Sequence, residues 1–352
     1  MASLTGRSKL GAPSACRESA VMRITFYSAQ PYDRRFFDEV RERHFADAGF
    51  EFIFQETSLD AGTVALADGS DAVCVFVNDR LDSEVIEALA AQGVRAIVLR
   101  CAGFNNVDLA VTQRLGLFVA RVPAYSPEAV AEHALAMIMT LNRKTHRAFN
   151  RVREGNFALD GLLGRTLYGK TAGVVGTGRI GLCMARIFQG LGCQVLGYDP
   201  FPSAAFAAFG RMVSLDELLA DADIVSLHCP LTEQTHHLID RQALALMKPD
   251  AMLVNTSRGA LIDTPAVIEA LKSRQLGALA IDVYEQESEL FFRDHSAEII
   301  TDDVFARLTS FPNVLITGHQ GFFTVEALRE IAEVTCGNLQ AFANGRECAN
   351  RL

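Results

Sequence analysis

From Met22 onward the chain alternates short, nearly unbroken apolar runs with helix-forming stretches, and no other feature narrows its possible folds so far. "RITFYS" (23–28), "FEFIFQ" (50–55), "AVCVFV" (72–77), "RAIVLR" (95–100) and "LFVARV" (117–122) make a first series. "TAGVV" (171–175), "QVLGYD" (194–199), "DIVSLH" (223–228), "AMLVNT" (251–256), "GALAID" (277–282) and "VLITGH" (314–319) make a second. A strand with one wet face alternates apolar with polar residues. Runs this continuous are apolar on both faces, as in parallel strands covered by helices above and below. The alternation predicts an α/β protein of two doubly wound parallel sheets, one of five strands and one of six. With 352 residues, 49% of them hydrophobic, the chain is long enough to bury two such cores.

The segments between the runs carry helix punctuation. "DSEVIEALAAQG" (82–93) offers Asp82 or Ser83 as cap and Gly93 as stop. Residues 126–157 read as one long helix, with Ser126 as cap and Pro127 in the first turn. Its Val130, Ala134, Met137, Ile138 and Leu141 keep helical spacing, which predicts packing against a core or a partner subunit. A final helix over 324–345 follows the last strand of the second sheet, so the chain is expected to cross back and finish on the first domain. The expected organisation is an extension at 1–21, a discontinuous domain of 22–124 plus 323–352, and a second domain of 125–322.

In parallel sheets of this kind, ligands gather at the carboxyl ends of the strands. "GVVGTGRIG" (173–181) places Gly176, Gly178 and Gly181 between a strand and a helix. Such glycines permit a tight turn and a close approach of pyrophosphate to the helix N-terminus. The spacing alone is weak evidence, but Asp199 ends the next strand, 18 residues after Gly181. A carboxylate there accepts hydrogen bonds from the adenosine ribose diol and repels a 2′-phosphate, which favours NAD over NADP. The second sheet therefore reads as a Rossmann domain that starts at its own fingerprint.

Other polar groups leave the same edge. Arg258 in "NTSRGALID" follows the fourth strand, Asp282, Glu285 and Glu287 in "DVYEQE" the fifth, and His319 in "GHQGFF" the sixth. A guanidinium binds a carboxylate through two parallel hydrogen bonds, and an imidazole oriented by a carboxylate transfers a proton. Beside a hydride carrier these groups suit carbonyl/alcohol interconversion on a small 2-oxo acid. Cys101 and Cys229 have no activating base nearby in sequence and are expected to be buried fillers. His236 and His237 are adjacent rather than at ligand spacing, so no metal is expected. His133, inside the long helix, is expected to pack or to make a cofactor-side hydrogen bond.

A net charge of −9 without a basic block disfavours nucleic acid and anionic membrane surfaces, and no apolar run reaches the length of a membrane span. Eight cysteines without CxxC pairs fit a reducing cytoplasm. Residues 1–21 lack the apolar stretch of a secretory signal and are expected to be a tag or the result of a misplaced start, with a transit-like peptide as the alternative.

"GTGRIG", "NTSRGALID", "DVYEQE" and "GHQGFF", in that order and spacing, resemble the D-isomer-specific 2-hydroxyacid dehydrogenases from about Met22 to the C-terminus. "RCAGFNNVDL" (100–109), "RVPAYSPEAVAEHALAMIMTLNR" (121–143), "YGKTAGVVGTGRIG" (168–181) and "SLHCPLT" (226–232) are similar to the fermentative D-lactate branch of Gram-negative bacteria. The resemblance implies a flavodoxin-like substrate domain beside the Rossmann NAD-binding domain, and reduction of pyruvate to D-lactate by NADH. It implies that Arg258 binds the substrate carboxylate, that His319 is the acid/base and that Glu287 pairs with it. Phe76, the Cys101–Ala102–Gly103 loop, Tyr125 and Phe322 would contact substrate, the loop through its main chain. The cofactor side would comprise Gly176, Gly178, Arg179, Ile180, Gly181, Asp199, His228, Cys229, Pro230, Thr235, Thr256, Ser257 and Asp282. A homo-oligomer is implied, a dimer through the cofactor domains or a tetramer. The rivals are a dehydrogenase for another 2-oxo acid, such as hydroxypyruvate, phenylpyruvate or 2-oxoisocaproate, and an NAD-sensing corepressor-like scaffold.

Overall fold

The computed structural model describes residues 21–287, 290–292 and 294–352; the expected extension, Val21 apart, lies outside the described residues. The chain forms two compact units, one reaching to Pro123 and taking in Arg329–Leu352, the other Ala124–Leu328.

The first unit holds β1 (Met22–Phe26), β2 (Phe50–Phe54), β3 (Ala72–Val75), β4 (Ala96–Leu99) and β5 (Phe118–Arg121). All pair in parallel in the order β2-β1-β3-β4-β5, the flavodoxin-like arrangement. Every residue of β3 and β4 is buried, as runs apolar on both faces require. Asp82 is the cap of the helix Ser83–Ala91, accepting from the Val85 N–H, and Gly93 follows the helix at φ 92°. The C-terminal helix Val325–Ala343 leads to a tail that pairs with β5: Arg121 N–H donates to Asn350 O at 3.1 Å and Leu352 N–H to Val119 O at 2.9 Å.

The second unit holds β6 (Thr171–Val175), β7 (Gln194–Tyr198), β8 (Arg211–Met212), β9 (Ile224–Leu227), β10 (Met252–Asn255), β11 (Ala278–Ile281) and β12 (Val314–Ile316). Their order, β12-β11-β10-β9-β6-β7-β8, is the Rossmann order extended by one strand. The sheet thus has a seventh strand where six are expected. β8 is two residues long, lies at the edge beyond β7 and has no apolar run to announce it.

The single helix expected over 126–157 is instead two. Ser126 does cap it and Pro127 opens it, but Pro127–Arg143 ends at Lys144, whose left-handed backbone (φ 52°, ψ 36°) starts the separate helix Thr145–Arg153. Tertiary bonds override the helix propensity at this joint. Lys144 Nζ donates to Leu163 O at 2.6 Å, and the Asn142 amide both donates to Arg165 O (2.8 Å) and accepts from its N–H (3.0 Å). Val130, Ala134, Met137, Ile138 and Leu141 are buried.

Candidate active site

The glycine turn is sterically closed to other residues at two of its three positions. Gly176 has φ 92°, and a Cβ there would lie 2.5 Å from Cys229 N; at Gly181 it would lie 1.9 Å from Gly176 O. Gly178 differs, since a Cβ there meets nothing within 4 Å. It begins the helix Arg179–Gly190 without a side-chain cap, so Arg179, Ile180 and Gly181 form a first turn whose N–H groups suit an anion. Asp199, one residue beyond β7, accepts at Oδ2 from Thr177 N–H (2.7 Å) and at Oδ1 from Phe201 N–H (2.9 Å). The turn therefore fixes the carboxylate that a ribose diol needs.

The rest of this edge is tied together by small polar side chains. Ser257 Oγ donates to Cys229 O at 2.7 Å, joining the ends of β9 and β10, and Thr235 Oγ1 donates to Pro230 O at 2.7 Å, closing the next loop. Burial pushes the Cys229 thiol up to about 11, so it stays protonated and acts as a filler. Burial pushes the His228 imidazole down to about 4, so it is neutral; its Nε2 meets Ser226 Oγ at 2.8 Å. Thr256 Oγ1 and His228 Nδ1 are buried without a hydrogen-bond partner. Buried polar atoms are seldom left so, and at the strand ends around an open helix N-terminus they fit a dinucleotide.

Beyond β10, Arg258 is braced by its own loop: Asn255 Nδ2 donates to Arg258 O (2.8 Å), and Arg258 Nη1 donates to Ser257 O (2.7 Å). Among the described residues it makes no ion pair, which leaves its charge for an anionic ligand. Gly259 lets this loop lie against the next, since a Cβ there would come within 2.1 Å of Tyr284 C. That neighbouring loop carries Glu287. Its Oε1 lies 2.9 Å from His319 Nδ1, while its Oε2 accepts from Tyr284 N–H at 3.0 Å. A carboxylate only accepts, so Nδ1 bears the proton of this bond and Nε2 is the atom left for a reacting group. Glu285, the other glutamate of the loop, turns away to His237 Nε2 at 3.0 Å.

His319 has φ 53°, left-handed backbone that residues with side chains seldom adopt. Asp282 holds it there. Its carbonyl accepts from His319 N–H (2.7 Å), and its carboxylate accepts from Gln320 N–H (2.9 Å), Gly321 N–H (2.8 Å), Thr317 Oγ1 and His133 Nε2. Burial opposes the charged form, yet the bonds from His133 and Thr317 win and hold the carboxyl below its ordinary range. With both oxygens so engaged, Asp282 organises the histidine loop. His133 spends its Nε2 on Asp282 and Thr317. Thr317 is absent from the expected set; it stands two residues before His319 at a strand end, the spacing that puts two side chains on one face. Phe292 and Phe322 flank the His319 ring at 5.7 and 6.4 Å, and Tyr125 meets Phe322 edge-on at 6.5 Å.

In the first unit the remaining residues follow β3 and β4. Phe76 is held at both ends of its peptide, its N–H by Asp79 Oδ2 (2.6 Å) and its O by Asn106 Nδ2 (3.0 Å), with the buried Arg100 guanidinium 4.9 Å from the ring centre. In the Cys101–Ala102–Gly103 loop all three carbonyls are used: by Val122 N–H, Arg121 Nη1 and the Cys101 thiol. That suits a loop whose ligand contacts are N–H groups.

Residues 135–321 match the family model described as D-isomer specific 2-hydroxyacid dehydrogenase, NAD binding domain. The 2-hydroxyacid dehydrogenase A of Aspergillus oryzae is 60% identical over 331 residues, 94% of this chain and 95% of the relative. The chain belongs to the D-isomer-specific 2-hydroxyacid dehydrogenase family. Another family relative, D-lactate dehydrogenase kk1H of Curvularia clavata, is 57% identical over the same shares of the two chains. The apo-structure of D-lactate dehydrogenase from Escherichia coli is similar with a TM-score of 0.85 at 50% identity, covering 94% of this chain and all of that one. As a dehydrogenase of this family the protein is an NAD-dependent oxidoreductase, and the glycine turn, Asp199 and the orphaned Thr256 and His228 atoms fit that cofactor.

Proposed function

We propose that this dehydrogenase reduces pyruvate to D-lactate, with Arg258, Glu287 and His319 as its catalytic residues. The observation that carries the reading is the Glu287–His319 bond, which leaves Nε2 for the substrate. NADH, when bound, supplies the hydride. Arg258 binds the substrate carboxylate by a planar fork and offsets the charge that grows on the carbonyl oxygen. His319 gives that oxygen a proton from Nε2 while Glu287 stabilises the imidazolium. Tyr125 and Phe322 bound the substrate beside His319. The relatives named for D-lactate support pyruvate over larger 2-oxo acids. Comparing catalytic efficiency across pyruvate, hydroxypyruvate, phenylpyruvate and 2-oxoisocaproate tests this, and preference for a larger acid refutes it.

The working form is a homo-oligomer in the cytoplasm. Phe149, Val152, Phe157, Leu159, Leu163 and Tyr168 stand between 51% and 89% exposed on the helix Thr145–Arg153 and the segment after it. Apolar residues so concentrated favour cover by a second copy of the chain. Among the described residues no helix is long and apolar enough to cross a membrane.

A further inference from the structure

Two imidazoles and a carboxylate that take no part in the Glu287–His319 bond meet on the second unit. His237 takes left-handed backbone (φ 51°), its N–H fixed to Ala260 O at 2.8 Å. Neighbouring side chains normally diverge, but here the His236 and His237 rings stack with centres 3.9 Å apart. Glu285, from the loop after β11, closes the group, and the ligand atoms of all three lie within 4.8 Å of one another. We propose that His236, His237 and Glu285 bind one divalent transition-metal ion of the zinc type.

The donor set decides the class of ion. Magnesium and calcium take oxygen ligands, whereas two imidazoles and one carboxylate suit zinc and its neighbours. Around a tetrahedral zinc with bonds of about 2.0–2.1 Å, ligand atoms stand roughly 3.3 Å apart. His237 Nε2 and Glu285 Oε1 are already 3.0 Å apart, so small side-chain rotations bring the third ligand in. The ion replaces their hydrogen bond, and a water completes the fourth position. Both supporting loops are anchored: Thr235 Oγ1 closes the first onto Pro230 O, and Gly259 packs against the second. Adjacency in sequence argued against a metal here; the backbone at His237 and the arrival of Glu285 reverse that argument.

The test is a titration of metal-free, full-length protein with Zn2+ against a chromogenic zinc chelator. One ion per chain is expected, not displaced by millimolar Mg2+. His236→Ala and Glu285→Gln should each weaken binding by at least the roughly 10- to 100-fold that losing even an outer partner costs a metal site. Thermal unfolding and NADH affinity, measured alongside, should match the wild type, showing that the variants fold. Failure to bind Zn2+, displacement by Mg2+, or undiminished affinity in both variants, which would put the metal on thiols elsewhere, each overturns the proposal.

Discussion

At the scale of single residues, chemistry here depends on how side chains are held more than on which are present. Arg258 is braced by its own loop, its guanidinium donating to Ser257 O and its carbonyl accepting from Asn255 Nδ2, so its planar fork is oriented before substrate arrives. Arg258→Lys keeps the charge but loses the fork, and pyruvate reduction should fall by at least about 100-fold, near 2.7 kcal/mol of transition-state stabilisation. Near-normal turnover would remove Arg258 from the substrate site. Asp282 permits a second prediction, with its sign fixed by its lowered carboxyl. A carboxyl lowered by folding adds stability that is fully present above the ordinary range, about 3.9, and is lost as pH falls through the folded value. Asp282→Asn leaves several N–H and O–H donors poorly matched and should cost about 1–3 kcal/mol at neutral pH. In denaturant unfolding, the gap to wild type should be flat from pH 8 to about pH 5 and narrow below about pH 4. A gap independent of pH would show that the charge does not hold the His319 loop.

At the scale of elements, the strand-to-helix turn after β6 is the strictest piece of backbone. Gly181→Ala drives a Cβ into Gly176 O and should destabilise the unit together with NADH binding. Gly178→Ala meets no protein atom within 4 Å, so it should leave unfolding unchanged yet weaken NADH, because its methyl intrudes where the cofactor approaches. Calorimetry and NADH titration of both variants separate the two effects; equal behaviour would deny that Gly178 faces the ligand. Elements with strong local signals were legible in sequence. All eleven apolar runs are strands, and Ser126, Pro127 and Asp82 open their helices. β8 was not, because two edge residues carry no periodicity, nor was the break at Lys144, where no glycine or proline marks a turn and the cause lies at Leu163 and Arg165. In the site, strand-end motifs pointed to Arg258, Glu287 and His319. The brace of His133 and Thr317 on Asp282 spans about 150 residues and exists only in the fold.

At the scale of the whole molecule, the apolar side chains beyond Lys144 set the expected assembly. Phe157→Asp with Leu163→Asp, at side chains 73% and 89% exposed, should lower the sedimentation mass to a single chain. An unchanged mass would place the contact between copies elsewhere. The central claim concerns the reaction itself, and its most direct measurement is the configuration of the product. Purified protein with NADH and pyruvate, assayed for both lactate enantiomers, should form D-lactate in step with NADH oxidised, and His319→Gln should form almost none. L-lactate as the product, or NADH left unconsumed by wild-type protein, would contradict the account.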